Sequence, residues 1–239
     1  MPGKPKIMLV MHEVPYNSGF LAAKYIRLSE VFDTHLLSWN KKSSTEKFIA
    51  KYQLPASFRK KMHVGIMNTA TLFQSLFTLL WVVLSKRKVR QYVFGNGGSV
   101  IRKLKKIAGY LPVFTVEPDI IHFEFGTIAT DIKTIKELTG SKISVSFRGY
   151  DINYIGLDNP AYYNDVWQYA DGFHFLGNDL KNRAIKRGYN TGKVELLIPP
   201  AIDTSFFTPP EVFSKEDNKL IIVSAGRLVW KKGYEYGVR

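Results

Sequence analysis

The sequence has no cysteine, which excludes disulfides, thiolate metal sites and cysteine nucleophiles. Its five histidines show no HExxH or other ligand spacing, and no aspartate metal-binding motif stands out. Long apolar runs are also lacking. The stretch from Val64 to Ser85 has no charged residue, yet it carries Asn68, Thr69, Thr71, Gln74, Ser75 and Thr78. Its apolar part, Leu76–Leu84, is too short to cross a bilayer, so a buried or interfacial helix is expected there. Met1–Lys6 contains two lysines, but the apolar run after it is only of strand length, and no signal peptide is read. There is no internal repeat and no low-complexity tract. No RNP, KH, zinc or helix-turn-helix signature occurs, which argues against a nucleic-acid partner.

Acidic residues are scarce. Asp and Glu number 20 against 34 Lys and Arg, a formal net charge of +14. Such an excess implies an anionic partner: nucleic acid, an acidic membrane surface or a phosphorylated substrate. The length of 239 residues accommodates one large domain or two small ones.

The chain is organised around Pro118–Asp151. Two apolar runs, Ile120–Phe125 and Ile143–Phe147, flank a helix-like segment, Ile128–Leu138. Run, helix, run over about thirty residues is the pattern of a βαβ unit with parallel strands. His122, Glu124 and Gly126 close the first run; Arg148, Gly149 and Asp151 close the second. Ligands of open parallel sheets sit beyond the carboxyl ends of the strands, where both clusters fall. His122 and Glu124 alternate, so they share a face. A buried Glu124 needs a partner, and Arg148 on the neighbouring strand is the natural one. His122 is read either as a ligand contact or as a hydrogen-bonded strand histidine. Asp151 is read either as a site residue or as a helix N-cap or loop brace.

Elsewhere, Lys6–Met11 reads as a strand buried on both faces. The turn-rich loop His12–Gly19 and a helix over Phe20–Phe32 follow. His35–Trp39 is a second strand, Ser43 with Glu46 a capping box for a helix through Tyr52, and Val64–Met67 a third strand. Thr71–Lys88 predicts one helix, with Lys86, Arg87, Lys88 and Arg90 in or after its last turn. Val100–Tyr110 is a basic amphipathic helix. Asn159-Pro160 opens a helix over Ala161–Tyr169, Gly172–Leu176 is a strand, Asn178 caps a helix that stops at Gly188, and Val194–Ile198 is the next strand. From Pro199 prolines multiply and periodicity fades, as in an inter-domain connection. Leu220–Ser224 then reads as a fresh buried strand, followed by Gly226-Arg227 and Lys232-Gly233.

Several of these stretches together resemble one family. FRGYDIN (Phe147–Asn153) looks like the HGxD segment of the retaining GT-B glycosyltransferases of family 4, and DIIHFEFG like their strand ending in a His-containing loop. The segment FLGNDLKNRAIKRGYNTGKVELLIPPAIDTSFFTPP is similar to their domain-crossing stretch. AGRLVWKKG is similar to their GRLxxxKG donor loop. The resemblance covers residues 118–239 and implies two Rossmann-like domains facing across a cleft. It implies an acceptor-binding domain over 1–198, a linker over 199–218, and over 219–239 the first strand and donor loop of a donor domain whose Glu-x7-Glu segment would lie beyond Arg239.

The implied reaction moves a sugar from a UDP- or GDP-sugar to a saccharide or lipid-linked acceptor, with retention. No cofactor is expected. Gly226, Arg227 and Lys232 are the implied donor-binding residues, because cations in a glycine-flanked loop stabilise a diphosphate leaving group. His122, Arg148 and Asp151 are the implied catalytic residues, and Asn17, Ser18, Gly19 and Glu124 the acceptor-binding ones. Three departures stand out. Arg148 replaces the family histidine and cannot act as a base, VPYNSGF lacks the double glycine, and Pro199-Pro200-Ala201 replaces Pro-Asn-Gly. A cytoplasmic, peripheral location at the inner face of an anionic membrane is expected, as is self-association through 219–239. The rival reading is a non-catalytic, basic Rossmann-type module that binds sugar or nucleic acid.

Overall fold

The computed structural model describes residues 3–14, 19–39, 42–65, 75–95, 97–200, 223–226 and 228–237. The chain divides into two units, Met1–Pro200 and Ala201–Arg239. The first is an α/β unit built on one parallel sheet, as the strand–helix alternation predicts.

Continuous apolar runs make the central strands. β1 (Lys6–Met11) is buried from its second residue onward. α1 (Gly19–Val31) returns the chain to β2 (Asp33–Ser38), and α2 (Lys42–Lys51) and α3 (Ala56–Lys61) lead to β3 (Met62–Val64). Four helices follow among the described residues: α4 (Leu76–Ser85), α5 (Arg87–Phe94), α6 (Val100–Gly109) and α7 (Leu111–Val116). Then come β4 (Ile120–Phe123), a 3-10 turn at Gly126–Ile128, α8 (Ile132–Thr139) and β5 (Lys142–Phe147). The unit closes with α9 (Gly149–Tyr154), α10 (Asn164–Tyr169), β6 (Gly172–Phe175), α11 (Asn178–Lys186) and β7 (Val194–Leu197). The strand order is β3-β2-β1-β4-β5-β6-β7, and every neighbouring pair is parallel. The winding reverses between β1 and β4, and a crevice at the carboxyl ends is the usual place for a ligand.

Side-chain alternation divides the core. Met8, Val10, Phe123, Val145, Phe147 and Phe175 face α4–α8 and α10 in the larger cluster. Ile7, Leu9, Met11 and Leu36 face α1 and α2 in the smaller one. On that second face β4–β6 carry polar side chains. The register sets His122 opposite Ser144 and Ser146 opposite His174, so all four lie on it. A parallel sheet buried on both faces normally carries aliphatic residues there.

Several boundaries differ from the sequence reading. The helix expected over Thr71–Lys88 is interrupted at Lys86, whose backbone is extended (φ −94°, ψ 106°). The break lets Val82 and Val83 of α4 and Val89 and Val93 of α5 both reach the core. It also lets Arg90 donate to the Leu84 carbonyl at 2.7 Å, closing the α4 C-terminus. The strand expected at Val64–Met67 is β3, earlier in the chain; residues 66 and 67 lie outside the described residues. α2 starts at Lys42, so Ser43 is inside the helix rather than capping it. Asn159 caps no helix either. Its Oδ1 accepts from the Ala161 N–H at 3.0 Å in a turn, and α10 starts only at Asn164. The helix read from Ile128 starts at Ile132, because Asp151 Oδ1 takes the Thr127 N–H and sets a 3-10 turn first. In the second unit, Val223 and Ser224 lie outside any strand, and the rest of Leu220–Ser224 and all of 201–218 fall outside the described residues.

Candidate functional site

The polar stripe ends at the switch point between β1 and β4. Glu124, one residue past β4, is buried. α1 leaves the β1 loop and places Lys24 over it: Lys24 Nζ lies 2.5 Å from Glu124 Oε1. From the other side Arg148, one residue past β5, donates Nη2–H to Glu124 Oε2 at 3.3 Å and Nε–H to the Glu124 carbonyl at 3.4 Å. The Glu124–Arg148 pair expected from the sequence is thus present. Burial alone would favour the neutral acid. The Lys24 and Arg148 cations outweigh it and hold the Glu124 carboxyl below the usual range. The Arg148 guanidinium also sits against Phe125 and Phe20, at 4.9 and 5.6 Å from the ring centroids. Together with Met11, Glu13 and Leu21 these residues line a recess of about 70 Å³.

His122 is the junction of a hydrogen-bonded chain. Its Nδ1 is 2.8 Å from Ser144 Oγ, and its Nε2 is 3.1 Å from Lys24 Nζ and 3.0 Å from Ser146 Oγ. Ser146 Oγ is in turn 2.9 Å from His174 Nδ1, and His174 Nε2 is 3.1 Å from the Ile198 carbonyl. A carbonyl only accepts, so His174 Nε2 carries the proton and its Nδ1 accepts from the Ser146 hydroxyl. A charged Lys24 only donates, so His122 Nε2 is its acceptor and His122 Nδ1–H donates to Ser144 Oγ, while Ser146 Oγ, whose proton goes to His174, stands beside Nε2 without donating to it. Burial, with the Lys24 cation beside it, pushes His122 down to about 3. Neutral His122 therefore tolerates Lys24, and a protonated one would not.

Asp151 is fully buried. Oδ2 accepts from the Arg148 N–H at 2.9 Å and Oδ1 from the Thr127 N–H at 3.1 Å. It ties the β4 loop to the start of α9, which is the brace of the two readings. Burial pushes its carboxyl up, against those two backbone donors. Arg187 holds the other end of α9. Its guanidinium donates to the carbonyls of Asp151, Ile152, Ile155 and Gly156 at 2.7–3.2 Å and stacks 4.8 Å from the Tyr163 ring.

Beyond the carboxyl ends of β1, β2 and β4 lies a cleft of about 440 Å³. His12, Trp39, Tyr110 and Thr127 form its wall, and α6 contributes Arg102, Lys105 and Lys106. Lys106 pairs with Asp131 at 2.6 Å, whereas Arg102 and Lys105 make no ion pair among the described residues. Trp39 is fixed by its Nε1–H bond to the Gly109 carbonyl, 2.8 Å. A larger cleft, about 540 Å³, lies near Asp119, Ser141 and Lys142, at the amino ends of β4 and β5 and away from this edge.

The structure brings His122, Glu124, Arg148 and Asp151 together. Gly19 is the first residue of α1, exposed. Asn17, Ser18 and Arg227 lie outside the described residues. In the second unit Gly226, Lys232 and Tyr234 are neighbours: a Cβ on Gly226 would come within 2.4 Å of Tyr234 Oη and 4.0 Å of Lys232 Cε. The sequence reading missed Lys24, Ser144, Ser146 and His174. The alternation of Ser144 and Ser146 with Ile143, Val145 and Phe147 was the signal available for two of them. No protein-family model matches this chain, and no curated protein matches it.

Proposed function

We propose that the chain is the acceptor-side part of a retaining GT-B glycosyltransferase, which moves a sugar from a UDP- or GDP-sugar to a saccharide or lipid-linked acceptor. The observation that carries this reading is Arg148. It takes the place that the resemblance gives to the family histidine, at the carboxyl edge of β5, clamped to a buried glutamate and lining the small recess. In that position a guanidinium binds and stabilises an anionic group and cannot remove a proton. Arg148 and Lys24 supply charge to the ligand, while buried Glu124, His122 and Asp151 position them. The cleft at Trp39 and Arg102 takes the acceptor, together with Asn17, Ser18 and Gly19. Gly226, Arg227 and Lys232 hold the donor diphosphate. The enzyme works peripherally at the inner face of the membrane.

The test is sugar transfer by the full-length protein from UDP- and GDP-sugars, with the product anomer read by NMR. Retention is expected, with Arg148→Ala lowering the rate by about 10²-fold or more. Absence of transfer from every donor, together with salt-dependent oligonucleotide binding, would refute the proposal in favour of a nucleic-acid-binding module.

A further inference from the structure

α4 has no charged residue, and helices apolar on all sides are normally buried on all sides. This one is not. Leu79, Val82 and Val83 enter the core, but Phe77, Leu80, Trp81 and Leu84 face outward; Phe77 is 86% and Trp81 57% exposed. Their spacing places these four side chains on one face. α4 packs on α5, and α5 on α6. α5 adds exposed Phe94 and α6 exposed Val100 and Ile101. Exposed Arg87 and Lys88, directly after α4, accompany them and have no ion-pair partner among the described residues. No aspartate or glutamate occurs between Glu46 and Glu117.

We infer that the outer surface of α4–α6 docks on an anionic lipid bilayer. Among the conceivable occupants the charge decides. A second copy meeting this surface face to face would oppose two cationic rims at the cost of like-charge repulsion. A surface of phosphate headgroups complements the same cations and takes the apolar side chains beneath it. α4 has ten residues and is about 15 Å long, roughly half the hydrocarbon thickness, so it lies in the interface and does not cross it. Trp81 suits that depth, with an apolar ring and a polar N–H. This inference specifies the surface behind the peripheral placement proposed above, and it holds whether or not the protein transfers sugar.

The experiment is co-sedimentation of the 239-residue chain with phosphatidylcholine vesicles and with vesicles containing phosphatidylglycerol. Binding to the anionic vesicles, released by high salt, is expected. Arg87→Gln with Lys88→Gln should weaken it by about thirty-fold. Phe77→Ser with Trp81→Ser should abolish it; all four side chains are exposed, and unchanged thermal melting checks that the variants fold. Equal binding to both vesicle types, retention through carbonate washing, or no binding would overturn the inference. So would a dimer in sedimentation velocity that the Phe77/Trp81 variant converts to monomer while vesicle binding persists.

Discussion

Lowering the pH from about 7 to about 5 should remove a large share of the stability of the 1–200 unit. Two histidines carry most of the effect. Burial with the adjacent Lys24 cation pushes His122 down to about 3, and burial with His35 beside it pushes His63 down to about 4. His63 lies on β3, its Nε2 2.9 Å from His35 Nδ1. In the unfolded chain both imidazoles take a proton near pH 6.5. The unfolded state therefore binds more protons below that value, and stability falls as pH drops from about 6.5 towards about 3 for His122 and about 4 for His63. The slope is about 1.4 kcal/mol per pH unit for each group, so each costs about 2 kcal/mol by about pH 5. About 4 kcal/mol together is a sizeable part of the 5–15 kcal/mol typical of a folded domain. His35 and His174 are displaced downward by burial and act in the same direction. The depressed carboxylates, Asp33, Glu124 and Asp171, lose their contribution only below about pH 4. The interval between about pH 6.5 and 5 thus belongs to the histidines, opposed by Asp151, whose carboxyl burial pushes up so that the folded state takes its proton before the unfolded chain does. Urea unfolding across that interval measures the slope for the wild type, His63→Gln and His122→Gln. Each variant should flatten the curve by its own share. A flat wild-type curve, or variants that keep the full wild-type slope, would refute the reasoning.

Gly126→Ala should destabilise the unit by about 1–3 kcal/mol, because an added Cβ would come within 2.2 Å of the buried Phe147 ring; an unchanged urea midpoint would count against the packing described. Arg187→Ala should cost about 2–3 kcal/mol through four lost charge-assisted bonds to carbonyls, and Arg187→Lys should not restore it, since an ammonium lacks the planar fork. Full thermal stability of the lysine variant would show the fork to be unnecessary. Glu124→Gln should leave Lys24 and Arg148 without their common counter-charge and lower the rate of sugar transfer by the full-length protein through misplacement of Arg148, with the affinity for inorganic diphosphate unchanged in calorimetry. A transfer rate equal to the wild type would detach Glu124 from the site.

The fold was legible where local and global signals agree. Lys6–Met11 and Ile143–Phe147 are buried strands that announce themselves as uninterrupted apolar runs. Short helices carried less. α7 holds Pro112 and two valines, and α9 spans one and a half turns fixed by Asp151 and Arg187 rather than by its own propensity. The break at Lys86 depends on which valines reach the core, and a linear pattern does not encode that. At the site, His122, Glu124 and Arg148 could be named because strand ends and alternation are local. Lys24 and His174 could not, because their convergence depends on the register of β4, β5 and β6 and on the angle at which α1 crosses them.

β1 lies mid-sheet between β2 and β4, and its two partners reach it at different times during synthesis. β2 follows it within one helix, but Ile120, which pairs with Ile7, comes about a hundred residues later. At about 5–20 residues per second, the β4-facing edge of β1 waits about 5–20 s on the ribosome. During that interval β1–β2–β3 forms a half-sheet with an apolar strand at its open margin. The nascent chain therefore offers chaperones, or neighbouring nascent copies, a binding edge that the finished sheet no longer has, and slowing translation between residues 65 and 119 would lengthen its exposure.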